Sequence, residues 1–179
     1  MVDGFSAGVW LHRGLYVGLA LALLFLRLLP LGSLAGSWPG PDLLFCLTLV
    51  WVLRRPDYVP AGLIAMVVLL EDLLLMRPPG LWAALVVLAA EFLRSRAALT
   101  RELTFALEWL LVAAVVLATV LAYRLVLGIV MLPQVGFGQA MVQAIGTILC
   151  YPLAVGASWL AFGVRKPATG EVDAYGRRI

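Results

Sequence analysis

Long apolar stretches, separated by short turns that carry arginine, make up most of this chain. Hydrophobic residues occupy 64% of its 179 positions, and the charged residues stand singly or in pairs between the apolar stretches. The interior of a bilayer offers no water to the backbone, so a spanning segment must satisfy its own N–H and C=O groups, which here means helices. The sequence therefore predicts an all-α integral membrane protein, with one polytopic domain over residues 1–179 and the lipid bilayer as its surroundings.

The Pro, Gly and Arg residues that interrupt the apolar stretches predict six transmembrane helices in one bundle, with five as the alternative. Residues 1–13 are expected to be exposed to water, and Arg27 within the first stretch favours a retained helix over a cleaved secretory signal. The second helix, with Asp42 placed to cap it, spans only about 16 Å at ~1.5 Å per residue, so longer neighbours or a thinned bilayer must accommodate it. The predicted helices cover residues 14–29, 42–53, 60–76, 81–93, 103–127 and 139–162.

The basic residues predict the orientation of these helices. With six spans and the N-terminus inside, the cytoplasmic side holds ten of the thirteen Lys and Arg residues, and the outer side holds Arg27, Arg77 and Arg124. This asymmetry follows the positive-inside rule and places both termini in the cytoplasm, whereas five spans would export one end. The cytoplasmic set consists of Arg13, Arg54, Arg55, Arg94, Arg96, Arg101, Arg165, Lys166, Arg177 and Arg178.

Ionisable residues inside a membrane are costly, so each one is a candidate functional residue. When the helices alternate in direction, three cations and three anions fall near the outer leaflet. We predict that these six pair with one another and fix the register of the helices, and a polar pocket that binds a small ligand or moves a proton is the alternative. The six residues are Arg27, Asp42, Glu71, Asp72, Arg77 and Arg124.

Toward the cytoplasmic side, Glu91 and Arg94 are three residues apart on one helix and are predicted to pair. Glu108 lies deeper, at the second turn of the fifth predicted helix, and the sequence indicates no partner for it. We expect Glu108 to face the interior of the bundle or another protein.

Motifs of catalysis and of metal binding are absent from the sequence, which predicts a protein that is not an enzyme and holds no metal or cofactor. His12 is the only histidine and is expected to be solvated or interfacial. Cys46 and Cys150 lie within apolar stretches and are expected to be small buried hydrophobic residues rather than a disulfide. The basic residues lie singly or in pairs beside apolar stretches, which indicates membrane topology and no nucleic-acid partner.

Three short motifs follow one another between residues 38 and 96. Pro41-Asp42-Leu43 opens the short second span, Trp51 precedes Arg54-Arg55-Pro56, and Glu71-Asp72-Leu73-Leu74 precedes Pro79-Gly80. In this order the motifs resemble the family of rod shape-determining proteins MreD, while the last two spans agree with that family only in hydrophobicity and length. The tail from Lys166 to Asp173 is similar to the ending of alphaproteobacterial members.

The resemblance implies a non-enzymatic subunit of the bacterial cell-elongation machinery, located in the inner membrane, that helps to organise peptidoglycan synthesis and cell shape. It implies MreC as the direct partner, and MreB, RodA and a class B penicillin-binding protein as indirect partners. It also implies a six-helix fold similar to the substrate-binding subunits of energy-coupling-factor transporters. If the outer charged residues instead form a substrate site, the chain is a small-solute-binding membrane subunit of a transporter. The family residues carried over, none with a catalytic role, are Pro41, Asp42, Leu43, Pro56, Asp72 and Gly80.

Overall fold

Apolar stretches and short turns form six α-helices and no strand in the residues that the computed structural model describes, which are 3–29, 39–96 and 104–163. This confirms the predicted all-α class. A one-turn 3-10 helix, Pro56–Tyr58, joins the second helix to the third. The six helices are α1 Asp3–Leu28, α2 Leu43–Arg54, α3 Ala61–Leu74, α4 Leu81–Ser95, α5 Phe105–Ile129 and α6 Phe137–Phe162.

Three of these helices are long and apolar enough to cross a membrane: Gly8–Leu28 within α1, Phe105–Ile129, and Phe137–Ala161 within α6. The other three have 12, 14 and 15 residues. At ~1.5 Å per residue they extend about 18–22 Å, which is less than the ~30 Å of a hydrocarbon core. The described chain is therefore an all-helical protein with three candidate membrane-spanning helices.

The first helix begins earlier than the sequence pattern predicts, at Asp3 rather than near residue 14. In the segment that the sequence predicts to be exposed to water, residues 8–13 are helical and have a mixture of exposed and half-buried side chains. His12, expected to be solvated or interfacial, is half-buried, and its ring stacks on Tyr58 with 4.3 Å between ring centroids. Arg13 donates to the carbonyl oxygen of Asp57 at 3.1 Å. The helix can include these polar residues because the connection between α2 and α3 supplies contacts for their side chains.

The shortest helix, α2, lies at the centre of the fold. Every residue from Leu44 to Leu53 is buried, and α2 packs against α1, α4 and α6. A helix that is apolar on all sides is stable only when neighbours cover it on all sides. Its two interior polar groups have partners, since Thr48 bonds the hydroxyl of Tyr16 at 2.8 Å and Trp51 donates to Ser158 at 3.3 Å.

Charged residues of the first four helices gather at two ends of the bundle. At one end, Arg13 and Arg94 donate to the backbone of the connection between α2 and α3, beside Arg54 at the end of α2. At the other end, Arg27 lies in the last turn of α1 and contacts Asp42 at the start of α2. We call these the Arg54 end and the Arg27 end. The 12 residues of α2 that separate them extend about 18 Å at ~1.5 Å per residue.

Helix α5 ends at Ile129, two residues beyond the predicted end at residue 127, and the segment that leads to α6 follows it. Residues 130–136 then form a loop. Arg124 donates to the carbonyl oxygen of Val135 at 2.8 Å, and Gln134 donates to the carbonyl oxygen of Arg124 at 3.2 Å. These two bonds fold the loop back onto α5.

Candidate functional site

A buried ion cluster occupies the Arg27 end. One guanidinium nitrogen of Arg27 lies 2.5 Å from Glu71 Oε1 and 3.2 Å from Asp42 Oδ2. Arg77 lies 3.7 Å from the same oxygen of Glu71. The side chains of Glu71 and Asp42 are 1% and 6% exposed, whereas that of Arg27 is 27% exposed. These four residues, which we call the Arg27 cluster, connect α1, the start of α2, α3 and the turn after α3.

The charges of the Arg27 cluster balance, with two guanidinium groups and two carboxylates. A carboxylate removed from water without a partner carries a penalty of several kcal/mol, and a close cation offsets it. Arg27 bridges both carboxylates, so the cluster holds together only when α1, α2 and α3 are in register. Its chemistry is that of a helix clamp.

Asp42 makes contacts with three different elements. Its Oδ1 accepts the backbone N–H of Phe45 at 3.1 Å, which confirms the predicted cap of α2. Its Oδ2 faces Arg27, and its own backbone N–H donates to the hydroxyl of Thr147 at 2.8 Å. One residue thus ties the start of α2 to α1 and α6.

Asp72 lies next to Glu71 in the chain but contacts backbone rather than arginine. Its side chain is fully buried, and its Oδ2 accepts the N–H groups of Gly80 at 3.1 Å and Ala83 at 3.2 Å. Gly80 has a φ of +87°, a left-handed conformation that glycine adopts without strain. A carboxylate near free N–H groups and the positive end of a helix dipole is stabilising, so Asp72 caps α4 from the preceding helix.

We expect Asp72→Ala to lower the free energy of unfolding by about 1–3 kcal/mol, because two N–H groups at a buried helix start lose their acceptor. Thermal unfolding in detergent, followed by circular dichroism, measures the effect. The matched control is Asp57→Ala, since the contact of Asp57 with Arg13 uses a backbone oxygen that the substitution keeps. Equal melting of the two variants would show that the carboxylate of Asp72 does not support α4.

Arg124 has a different environment from the one predicted for it. It donates to the carbonyl oxygen of Val135 and lies over the ring of Phe137, 5.4 Å from its centroid. No ion pair joins Arg124 to a carboxylate in the described part of the chain. The structure therefore brings together four of the six outer candidates, places Asp72 beside them as a helix cap, and leaves Arg124 on the α5 side.

Glu108 has partners that the sequence does not indicate. Its Oε1 accepts a hydrogen bond from Arg54 at 3.0 Å and another from the hydroxyl of Tyr151 at 2.7 Å. The Glu108 side chain is fully buried and that of Arg54 is 13% exposed. This contact joins α2, α5 and α6 near the Arg54 end, and we call it the Glu108 cluster.

A polar stripe on α6 is the signal that sequence reasoning missed. Gln143, Thr147 and Tyr151 are four residues apart, and Ser158 follows seven residues later, so all four lie near one face of an otherwise apolar helix. Thr147 contacts Asp42, Tyr151 contacts Glu108, and Ser158 contacts Trp51. Polar residues at this spacing in an apolar helix identify the face that packs against buried polar partners.

The remaining candidates from the sequence have local roles. Pro41 packs near Gly146 of α6, Leu43 is exposed, and Pro56 begins the 3-10 helix. Glu91 and Arg94 form the predicted pair on the surface of α4. Of the residues quoted for topology or for the tail motif, Arg101, Arg165 and Lys166–Asp173, together with Arg177 and Arg178, lie outside the described residues.

The described residues contain no group of three His, Cys, Asp or Glu side chains placed to hold a metal ion. Cys46 is buried, Cys150 is half-buried, and both are free thiols. Comparisons of the chain with protein-family models, with curated proteins and with solved structures gave no match. The fold and its clusters thus define a helical protein with three candidate membrane spans, clamped by buried ion pairs at two levels.

Proposed function

We propose that this chain is a non-enzymatic scaffold subunit of the bacterial inner membrane that belongs to the cell-elongation machinery. The observation that carries the proposal is the use of the buried charges. Both clusters direct their carboxylates at arginines of the same chain, so they serve the internal register of the helices. What the fold presents outward is largely apolar surface, which suits contact with lipid and with transmembrane helices of other proteins.

The proposal includes a six-span bundle with both termini in the cytoplasm. Arg13, Arg54 and Arg94 lie at one end of the first four helices, and Arg27 and Arg77 lie at the other. The positive-inside rule assigns the Arg54 end to the cytoplasm when the basic residues of the whole sequence are counted. The short helix α2 then crosses the bilayer packed against α1, α4 and α6, and α3 crosses beside α4. Local thinning of the bilayer offsets the length of the three short helices.

A groove between α4 and α5 supports the scaffold function. Its volume is about 400 Å³, and its α5 wall carries Ala114, Ala118 and Ala122, which are four residues apart. Lipid supplies no hydrophobic drive between helices, so association in a membrane depends on close packing, and small side chains permit it. The groove has the shape and chemistry to accept one apolar helix of a single-pass protein. On the α4 side it is lined by Leu85, Leu88, Ala89 and Phe92.

The order of the motifs around Asp42, Arg54 and Asp72 supplies the identity of the partner in this proposal. It resembles MreD, so the proposed occupant of the groove is the transmembrane helix of MreC. MreB, RodA and a class B penicillin-binding protein are then proposed as indirect partners, and peptidoglycan synthesis and cell shape as the process served.

We expect Ala118→Phe to reduce capture of MreC from native membranes by roughly tenfold, because a phenyl ring in the groove prevents close approach of a second helix. Pull-down of tagged full-length protein, followed by quantitative mass spectrometry, measures the loss. The matched control is Ala157→Phe, at an exposed alanine of α6 away from the groove.

Unchanged MreC capture by Ala118→Phe would reject the groove as its docking site, and absence of MreC from the wild-type pull-down would reject the proposed identity. Asp42→Ala and Asp72→Ala loosen helix ends without touching the groove. Both are expected to lower the yield of folded protein and of complex together, whereas Ala118→Phe lowers only the yield of complex.

The alternative function is a small-solute-binding subunit of a transporter, and one observation favours it. A cavity of about 530 Å³ opens at the Arg27 end between the turn after α3, α5 and the start of α6, with Arg77 and Arg124 in its wall. Recovery of an ATP-binding-cassette module in the pull-down, in place of MreC, would support this alternative.

A further inference from the structure

The cavity at the Arg27 end has a wall of unusual composition for its position. It lies between the turn that follows α3, the second half of α5, the loop at residues 132–135 and the start of α6. Its polar lining consists of Arg77, Tyr123, Arg124, Gln134 and Gln143, and no described residue that lines it is acidic. Two guanidinium groups and no carboxylate group therefore line the described part of the cavity.

Neither arginine is saturated by the bonds it makes within the described chain. Arg77 approaches Glu71 only to 3.7 Å, and Arg27 already occupies the same carboxylate oxygen at 2.5 Å. Arg124 uses one guanidinium nitrogen on the carbonyl oxygen of Val135, and a guanidinium has five N–H donors. Each guanidinium carbon lies over an aromatic ring, 5.4 Å from its centroid, with Arg77 over Trp82 and Arg124 over Phe137. The planar fork of a guanidinium group matches the oxygens of a phosphate group.

The mouth of the cavity is apolar. Met76, Leu132 and Val135 line it and are 92%, 40% and 63% exposed. A soluble anion gains nothing from such a rim, whereas the chains attached to a lipid phosphate pack against it. Cationic groups beside exposed apolar side chains at one end of a helical bundle are the chemistry expected for a lipid headgroup.

We propose that this cavity binds a phosphate ester group, with Arg77 and Arg124 as its donors, and that a phospholipid of the surrounding bilayer carries the phosphate. This inference rests on the cavity and not on the scaffold function, because the cavity is present whether or not the chain binds MreC. Phosphate recognition at this end goes beyond the clamp role of the Arg27 cluster, because it uses N–H donors of Arg77 that the cluster leaves free, together with Arg124, which lies outside the cluster.

The test is binding to delipidated full-length protein in mild detergent, measured by native mass spectrometry. The probes are phosphatidylglycerol, diacylglycerol with the same acyl chains, and glycerol 3-phosphate. Wild type is expected to retain phosphatidylglycerol at least about tenfold more tightly than diacylglycerol, and Arg124→Gln to lose about tenfold in phosphatidylglycerol affinity. Phosphatidylglycerol should also raise the melting temperature of wild type and not that of Arg124→Gln.

The matched control is Arg96→Gln, an arginine stacked on Phe92 at 4.7 Å outside the cavity, and its lipid affinity should equal that of wild type. Arg124→Lys keeps the charge and loses the planar fork, so an intermediate affinity is expected even if the glutamine variant folds poorly. If millimolar glycerol 3-phosphate does not displace phosphatidylglycerol, the result supports a lipid as the source of the phosphate. If it does displace the lipid, the result supports recognition of the phosphate group of a soluble ester. Equal affinity for diacylglycerol, or wild-type affinity in both Arg124 variants, would overturn the proposal.

Discussion

Replacement of Arg27 by alanine is expected to lower the free energy of unfolding by about 3–5 kcal/mol, the range for removal of one partner from a buried ion pair. The reason lies in the two carboxylates that remain. Glu71 and Asp42 are 1% and 6% exposed in their side chains, and Arg27 is the nearest cation to both. Arg77, at 3.7 Å from Glu71, compensates only in part.

Titration from a mild detergent into dodecyl sulfate, followed by far-ultraviolet circular dichroism, measures this loss as a lower midpoint. The matched control is Glu91→Ala, which breaks the ion pair with Arg94 on the surface of α4, where the side chains are 45% and 25% exposed. Exposed pairs contribute at most ~1 kcal/mol, so the control should change little. A loss below about 1 kcal/mol for Arg27→Ala would remove the clamp role assigned to the Arg27 cluster.

A double variant separates the charge effect from the packing effect. In Arg27→Met with Glu71→Met, the closest pair becomes apolar on both sides, and replacement of a buried pair by apolar residues is often neutral. The double variant should therefore be more stable than the sum of the two single variants predicts, with a coupling of about 0.5–3 kcal/mol. Additive losses would show that the two side chains act independently.

The sequence predicts the number and approximate positions of the helices because two strong local signals mark them. Apolar stretches define the helices, and Pro, Gly and Arg mark the turns, so helices α2 to α6 begin and end within about two residues of the predicted limits. The cap by Asp42 is also a local property, since its acceptor and the N–H it serves are three residues apart. The start of α1 is missed because His12 and Arg13 resemble a water-exposed segment, whereas distant residues give them partners.

Which residues form each cluster is only partly predictable, because the partners come from distant parts of the chain. Alternation of helix direction correctly places Arg27, Asp42, Glu71 and Arg77 at one level. It fixes only the depth of a residue, however, and not the direction in which its helix faces. Arg124 contacts the loop after α5 instead of a carboxylate, and the partners of Glu108 come from two other helices. The orientation in the membrane, the MreC partner and the elongation function stay predictions.

Glu108→Ala is the second substitution with a large expected effect, a loss of about 3–5 kcal/mol in the free energy of unfolding. The fully buried carboxylate accepts from Arg54 and Tyr151, so its removal takes the acceptor from a charged donor on α2 and from a hydroxyl on α6. The Nε atom of Arg54 is also buried and has no hydrogen-bond partner in the described structure, which makes Arg54 more dependent on Glu108. This contact joins the short central helix to both of the long helices α5 and α6.

A graded series tests whether charge or shape determines that effect. Glu108→Gln keeps the shape and an acceptor oxygen but loses the charge, so about 1.5–3 kcal/mol is expected, the range for a hydrogen bond to a charged group. Tyr151→Phe removes one donor and leaves Arg54 paired with Glu108, so its loss should be the smallest of the three. If the ion pair dominates, the same dodecyl sulfate titration should show Glu108→Ala as the most destabilised variant, Glu108→Gln as intermediate and Tyr151→Phe as the least destabilised. Equal losses in Tyr151→Phe and Glu108→Ala would instead assign the stabilisation to the tyrosine hydrogen bond, which joins α6 to α5.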